Sequence, residues 1–209
     1  REFLPGAQSV HLIGSFNNWQ TMSVWKLKRV DDYGNWEICI SDKAMRHGDF
    51  YRLFVHWGHG GGERIPAWAT RVVQDSSTGI FSAQVWDPEQ PYTFRHTRPA
   101  KKATEPLLIY ECHIGMSSEE GRVSTYREFQ EQVLPRIVDL GYNAIQIMAV
   151  QEHPYYGSFG YHVSSFFAPS SRFGTPDELK ELIDTAHGLG LKVIMDLVHS
   201  HAVRNEVEG

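Results

Sequence analysis

The sequence is poor in cysteine, in long apolar runs and in positive charge. Of its 209 residues two are cysteine, Cys39 and Cys112, too few for a disulfide framework. Each lies in an apolar run, which reads as a buried, inert thiol. No stretch of about 18 apolar residues exists to span a bilayer, and the polar start Arg1-Glu2-Phe3 does not read as a secretory leader. Lys and Arg number 20 against 25 Asp and Glu, a formal net charge of -5. No basic field therefore invites nucleic acid or anionic lipid. These absences lead to the expectation of a cytoplasmic, soluble protein with neither nucleic acid nor membrane as a partner.

What is plentiful is aromatic. Phe, Tyr and Trp make up 12% of the chain, including six Trp. Flat rings stack on the apolar faces of sugar rings, and they also fill β-sheet cores. Composition leaves both uses open.

The two halves carry different patterns. From Val10 to about Phe94, short β-rich runs alternate with Gly, Asn and Asp. Val10–Gly14, Trp25–Val30, Trp36–Ile40, Phe50–Trp57 and Ile80–Trp86 read as strands. Asp31-Asp32-Tyr33-Gly34-Asn35 reads as a turn, and His59–Gly62 as loop. With no credible helix among them, these runs predict an all-β sandwich over residues 1–96. Residues 97–106, with Arg98-Pro99 and Glu105-Pro106, lack apolar periodicity and read as a linker.

Strand and helix alternate over residues 107–209. Leu107–Cys112, Ala144–Val150 and Leu191–Val198 are near-continuous apolar runs, as expected of strands buried on both faces. Between the first two lies a helix capped by Thr125 and Glu128, with Phe129, Val133, Ile137 and Leu140 as its apolar stripe. Pro135 should kink it and Gly141 close it. Thr175, Pro176 and Glu178 start a second helix that buries Leu179, Leu182, Ile183 and Ala186. Strands joined through helices pair in parallel by right-handed crossovers. No dinucleotide glycine fingerprint follows the first strand. A (β/α)8 barrel needs eight strands, and three are expected here. The expectation is a barrel that remains unclosed within these residues. The long connection from Gln151 to about Gly174 leaves a strand's C-terminal end, where barrel enzymes build their sites.

Three segments could carry chemistry. Asp196-Leu197-Val198-His199-Ser200-His201 sets an acid and two imidazoles at a strand end. They can grip sugar hydroxyls, or they can be a solvated turn. Strict alternation places Asp196 and His201 on opposite faces, so they converge only if the strand stops before His201. His199-x-His201 could also hold zinc, with Glu152-His153 a weak further ligand pair; no metal is expected. Glu152 to His162 is rich in Gly and Tyr, and Tyr161 offers a flat face with one hydroxyl. Gly14-Ser15-Phe16-Asn17-Asn18-Trp19 is a turn ending in a tryptophan that can pack or stack.

Together these segments resemble a known family. Gly14 to Trp19 is similar to the G-D-F-N-x-W signature of carbohydrate-binding module 48, with Ser15 where Asp is commoner. Asp196 to His201 resembles the first conserved region of the α-amylase superfamily. Ile109–Gly115, Glu152–Tyr161 and Ser170–Pro176 resemble the 1,4-α-glucan branching enzymes. The resemblance implies an immunoglobulin-like sandwich followed by the first three βα units of a barrel. It implies an α-1,4-glucan as partner, no cofactor, and a retaining transfer to a glucan 6-hydroxyl. Tyr161 matches the tyrosine that stacks at the −1 sugar, His201 the histidine that hydrogen-bonds it, and Asp196 the aspartate that supports the site. More weakly, Trp19, Asp32, Tyr33, Gly34 and Asn35 match glucan contacts of the sandwich. The family's nucleophile and acid/base match no position up to Gly209, so this chain alone is expected to be inactive. A debranching or trehalose-forming relative and a non-catalytic glucan binder are the alternative readings.

Overall fold

Alternating burial along Phe50–Trp57 builds the longest strand of the first half. In the computed structural model, residues 1–100 and 106–203 are described; residues 101–105 of the expected linker and the last six residues lie outside them. The chain divides into two units. One is built on Arg1–Glu89 and takes in Ser164–Ala168; the other comprises Gln90–Val163 and Pro169–Ala202.

The first unit is β-rich. Its strands are β1 (Glu2–Phe3), β2 (Ser9–Gly14), β3 (Lys28–Arg29), β4 (Asn35–Glu37), β5 (Phe50–Trp57), β6 (Gly60–Arg64), β7 (Val72–Gln74) and β8 (Phe81–Gln84). They form two antiparallel sheets, ordered β1-β4-β3 and β2-β5-β8-β7, with β6 on β5. Val10, Leu12, Leu53 and Val55 project from β2 and β5 into a core with Leu27 and Trp36. Each buried side chain of this size contributes roughly 1.5–3 kcal/mol.

Three expectations needed correction here. His59 lies in a turn, but Gly60–Gly62 is not loop, because β6 pairs with β5 from Trp57↔Gly60 onward. A β-carbon on Gly61 would stand 3.0 Å from the Val55 carbonyl oxygen, so glycine permits this close pairing. Trp25–Val30 keeps only Lys28–Arg29 as strand, since Ser23–Trp25 winds into a 3-10 turn. Cys39 is exposed because β4 stops at Glu37. Cys112 is buried, which pushes its thiol up to about 12.

The second unit holds β9 (Ile109–Cys112), β10 (Ala144–Ile147), the short β11 (Gln151–Glu152) and β13 (Lys192–Met195), while the intervening β12 (Ser165–Pro169) falls almost wholly in the segment that the first unit takes in. The order β13-β10-β9 is parallel throughout, with Ile145 opposite Tyr110 and Val193. The three strands form an open sheet; no closed barrel exists among the described residues. Helices α1 (Tyr126–Glu128), α2 (Leu134–Asp139) and α3 (Pro176–Gly188) supply the cover. Phe129, Leu134, Ile137, Leu182 and Ala186 pack with Ile145 and Ile147 in one core.

Thr125 and Thr175 both complete capping boxes, with Glu128 and Glu178. Pro135 does not kink a regular helix. A π-helical turn over Phe129–Val133 precedes it, and Pro135 falls in the first turn of α2. The wide turn removes the carbonyl clash and the missing N–H that proline brings. It also advances the register by about one residue. Leu134 is therefore buried and Leu140, expected in the stripe, is 70% exposed.

On α3 the buried face carries one acid. Asp184 has no exposed side-chain surface. It accepts from the Tyr92 hydroxyl at 2.6 Å and from the backbone N–H of Arg95 and His96 at 3.0 and 2.8 Å. Burial opposes its charge, but these donors hold its carboxyl well below the usual range. Segment 92–96 is thereby tied to α3 within the second unit.

Candidate functional site

Two places gather the candidate residues, one in each unit. In the first, Gly14–Trp19 turns sharply. The Asn17 side chain accepts from Gly14 N–H at 2.9 Å and donates to the Leu12 carbonyl at 3.1 Å. Asn18 and Trp19 follow with φ of 54° and 60°. Two successive non-glycine residues in the left-handed region cost energy that the rest of the turn must offset. The result is an indole 38% exposed. The Arg52 guanidinium lies over the ring, 4.8 Å from its centroid. Ser82 Oγ holds that guanidinium at 2.7 Å, and Glu63 pairs with it.

Trp19 and Arg52 line a cleft of about 460 Å³ with Phe50, Gln74, Asp75 and Thr78. That volume is in the range of small-ligand sites. Asp75 Oδ1 accepts from the backbone and hydroxyls of Ser77 and Thr78, which brings its carboxyl down to about 2. A fixed aromatic face with a carboxylate, a guanidinium and hydroxyls at its rim suits a ring that is apolar on one face and hydroxylated at its edge.

Asp32, Tyr33, Gly34 and Asn35 are not among the residues lining that cleft. They form a turn ordered by Asp31, whose carboxylate accepts from Gly34 N–H, Asn35 N–H and the Asn35 amide. Tyr33 is 80% exposed at its tip.

In the second unit the site forms beyond the C-terminal ends of β10 and β13. Strand β13 stops at Met195, and Asp196 N–H bonds the Ile147 carbonyl at 3.0 Å. Tyr161 reaches it from the long connection. A β-carbon on Gly160 would collide with the carbonyl oxygen of Ala149, and Gly160 has φ 87°. Ala149 itself is held at φ 35°. Backbone strain thus collects where Tyr161 leaves the loop. The Tyr161 ring packs on Ala149, Val163 and Val198. Its hydroxyl donates toward Asp196 Oδ2 at 3.5 Å, the long limit of a hydrogen bond. Burial, then the charges of Asp196 and Glu111, push the phenol up. Glu111 accepts from the Gln146 amide across the sheet at 3.0 Å.

The geometry brings Tyr161 and Asp196 together. His201 is exposed, and its Nδ1 lies 2.7 Å from Ser200 Oγ. Glu111 and Gln146 escaped the sequence reading: a lone acid inside an apolar strand was its only signal, visible in the alternation of β9. Among the described residues no group of three or more His, Cys, Asp or Glu stands close enough to hold a metal ion.

Known proteins share both patterns. Residues 1–75 match the family Carbohydrate-binding module 48 (Isoamylase N-terminal domain), and residues 131–207 match Alpha amylase, catalytic domain. All of the chain aligns with the 1,4-alpha-glucan-branching enzyme of Equus caballus at 48% identity over 217 residues. Over its whole length the chain is thus similar to a part of the branching enzymes. It aligns equally completely, at 49% identity, with 1,4-alpha-glucan-branching enzyme 2-2, chloroplastic/amyloplastic, of Arabidopsis thaliana. The chain spans 30% of the horse protein and 26% of the Arabidopsis protein. The crystal structure of the Group B Streptococcus pullulanase SAP shares the fold at TM-score 0.80 and 21% identity, over 99% of this chain and 33% of that one. No helix among the described residues is long and apolar enough to cross a membrane.

Proposed function

We propose that the protein carrying this chain is a 1,4-α-glucan branching enzyme. In this reading the first unit is an immunoglobulin-like glucan-binding module, and the second is the first three βα units of a (β/α)8 catalytic barrel. End-to-end identity to branching enzymes carries the reading, and the Tyr161–Asp196 pair at parallel strand ends supports it.

The chemistry follows from what the residues offer. Tyr161 gives a sugar a flat face, and Asp196 accepts from sugar hydroxyls or from Tyr161 itself. His201 presents an exposed imidazole five residues past Asp196 and adds a further hydroxyl partner. Together they hold the donor sugar at the −1 position. In a retaining transfer one carboxylate attacks the anomeric carbon and a second carboxyl protonates the leaving oxygen. A glucan 6-hydroxyl then takes the glycosyl group. Asp196 cannot serve as both carboxyls, so the 209-residue chain positions donor glucan without transferring it.

In the first unit Trp19 is the stacking surface for a second stretch of α-1,4-glucan. Asp32 to Asn35 are part of the proposal only as a neighbouring contact for a chain longer than the cleft. The proposal includes a cytoplasmic location, although one relative carries a plastid name.

An iodine-stain branching assay tests this reading. The full-length protein should lower the absorbance of the amylose–iodine complex, and Asp196→Asn should slow that loss about a hundredfold or more, as expected for a misheld substrate. The 209-residue chain should give none. Branching by the 209-residue chain, or an Asp196→Asn enzyme of full activity, overturns it.

A further inference from the structure

The pair Glu152-His153, considered from sequence as weak metal ligands, does something else. Gln151 and Glu152 are buried, with 4% and 0% of their surface exposed. Adjacent in a strand, their side chains point opposite ways, and each finds a different segment. Gln151 Oε1 accepts from the backbone N–H of Val198 at 2.9 Å, two residues past Asp196. Val198 is also one of the three residues on which the Tyr161 ring packs. The Glu152 carboxylate accepts from Ser171 N–H at 2.7 Å, from Ser171 Oγ at 2.8 Å and from Ser170 Oγ at 3.2 Å. Arg172 Nη1 donates to it at 3.2 Å. The same guanidinium bonds the carbonyls of His153 and Pro154, the latter at 2.7 Å, at the root of the loop that ends in Tyr161.

We infer that Gln151 and Glu152 form a positioning clasp for the Tyr161–Asp196 pair. Gln151 sets the height of the segment bearing Asp196 and Val198. Glu152, through Arg172, anchors the start of the loop whose far end delivers Tyr161. Neither side chain reaches substrate; both act through the pair. A buried, fully satisfied polar network has one good arrangement, which is what a stacking ring and a carboxylate 3.5 Å apart require. This inference rests on the reading of Tyr161 and Asp196 as sugar-holding residues.

The test uses the full-length enzyme on amylose, with kcat, KM and melting temperature measured side by side. Gln151→Met keeps the length of the side chain and removes the acceptor; Gln151→Glu keeps an acceptor oxygen. Glu152→Gln keeps the shape and weakens the hold on Arg172. Gln151→Met and Glu152→Gln should lower kcat per folded molecule by roughly 10- to 100-fold, the scale of small misplacements, with KM for long amylose little changed. Gln151→Glu should recover part of the loss. A melting temperature that falls while kcat per folded molecule stays at wild type means the clasp is merely structural and overturns the inference. Tyr161→Phe and Asp196→Asn are run in parallel. If these two leave kcat unchanged, the site reading itself fails; if they lower it and the clasp variants do not, only the clasp fails.

Discussion

At the scale of single residues, the second unit contains imidazoles placed where charge is costly. His153 is fully buried with its Nδ1 2.9 Å from the Gln151 carbonyl and its Nε2 without a partner. The half-buried His113 ring meets Tyr156, Phe159 and Phe173 edge-on, 5.6–6.2 Å away. Burial lowers both from the ordinary 6.5. Above about 6.5 folded and unfolded chains are both neutral there, and pH has no leverage through these rings. As pH falls below 6.5 the unfolded chain takes up protons that the folded chain refuses, so stability drops. The urea midpoint of the second unit should fall between pH 7 and pH 5.5. His113→Phe, which fits the aromatic cluster, should flatten that fall. A midpoint independent of pH in the wild type would show that these rings take up protons in the folded protein as readily as in the unfolded chain.

At the scale of elements, local signals and tertiary packing account for different parts of the structure. The capping box at Thr175 was plain from Thr-Pro-Asp-Glu, and α3 begins there. Thr175→Ala should cost about 1 kcal/mol of stability, and Leu182→Ala, in the core on the same helix, about 2–5 kcal/mol. Chemical denaturation ranks the two; an equal cost would mean that α3 is held by its cap instead of its buried face. Strand β5 was legible from end to end, because its alternation continues until the glycines. What the sequence hid depends on partners far along the chain. Strand β6 exists only because glycine lets it approach β5. Asp184 is buried under Tyr92, Arg95 and His96, some 90 residues away, and nothing local to α3 signals it. Leu140 sat in a clean helical stripe, and a π-helical turn ahead of Pro135 rotated it out. Tyr161 and Asp196 were found by their position in motifs; their approach across 35 residues was not a sequence signal.

At the scale of the whole chain, the two proposed sugar-stacking residues lie in separate units, each at a strained stretch of backbone. Asn18 and Trp19 are both left-handed, and Tyr161 follows Phe159 and Gly160, both at positive φ, beside Ala149. The exposed Leu108, Ile109, Met195 and Leu197 border the open parallel sheet, as an unclosed set of barrel strands would leave them. We propose that this chain recognises α-1,4-glucan and that Trp19 is the side chain the first unit uses to do so. Co-sedimentation of the 209-residue chain with glycogen, wild type beside Trp19→Ala, tests it most directly. The wild type should pellet with glycogen in a manner competed by maltoheptaose, and Trp19→Ala should stay largely in the supernatant while retaining its fold by circular dichroism. A wild-type chain that does not pellet, or a Trp19→Ala chain that pellets equally well, contradicts the account.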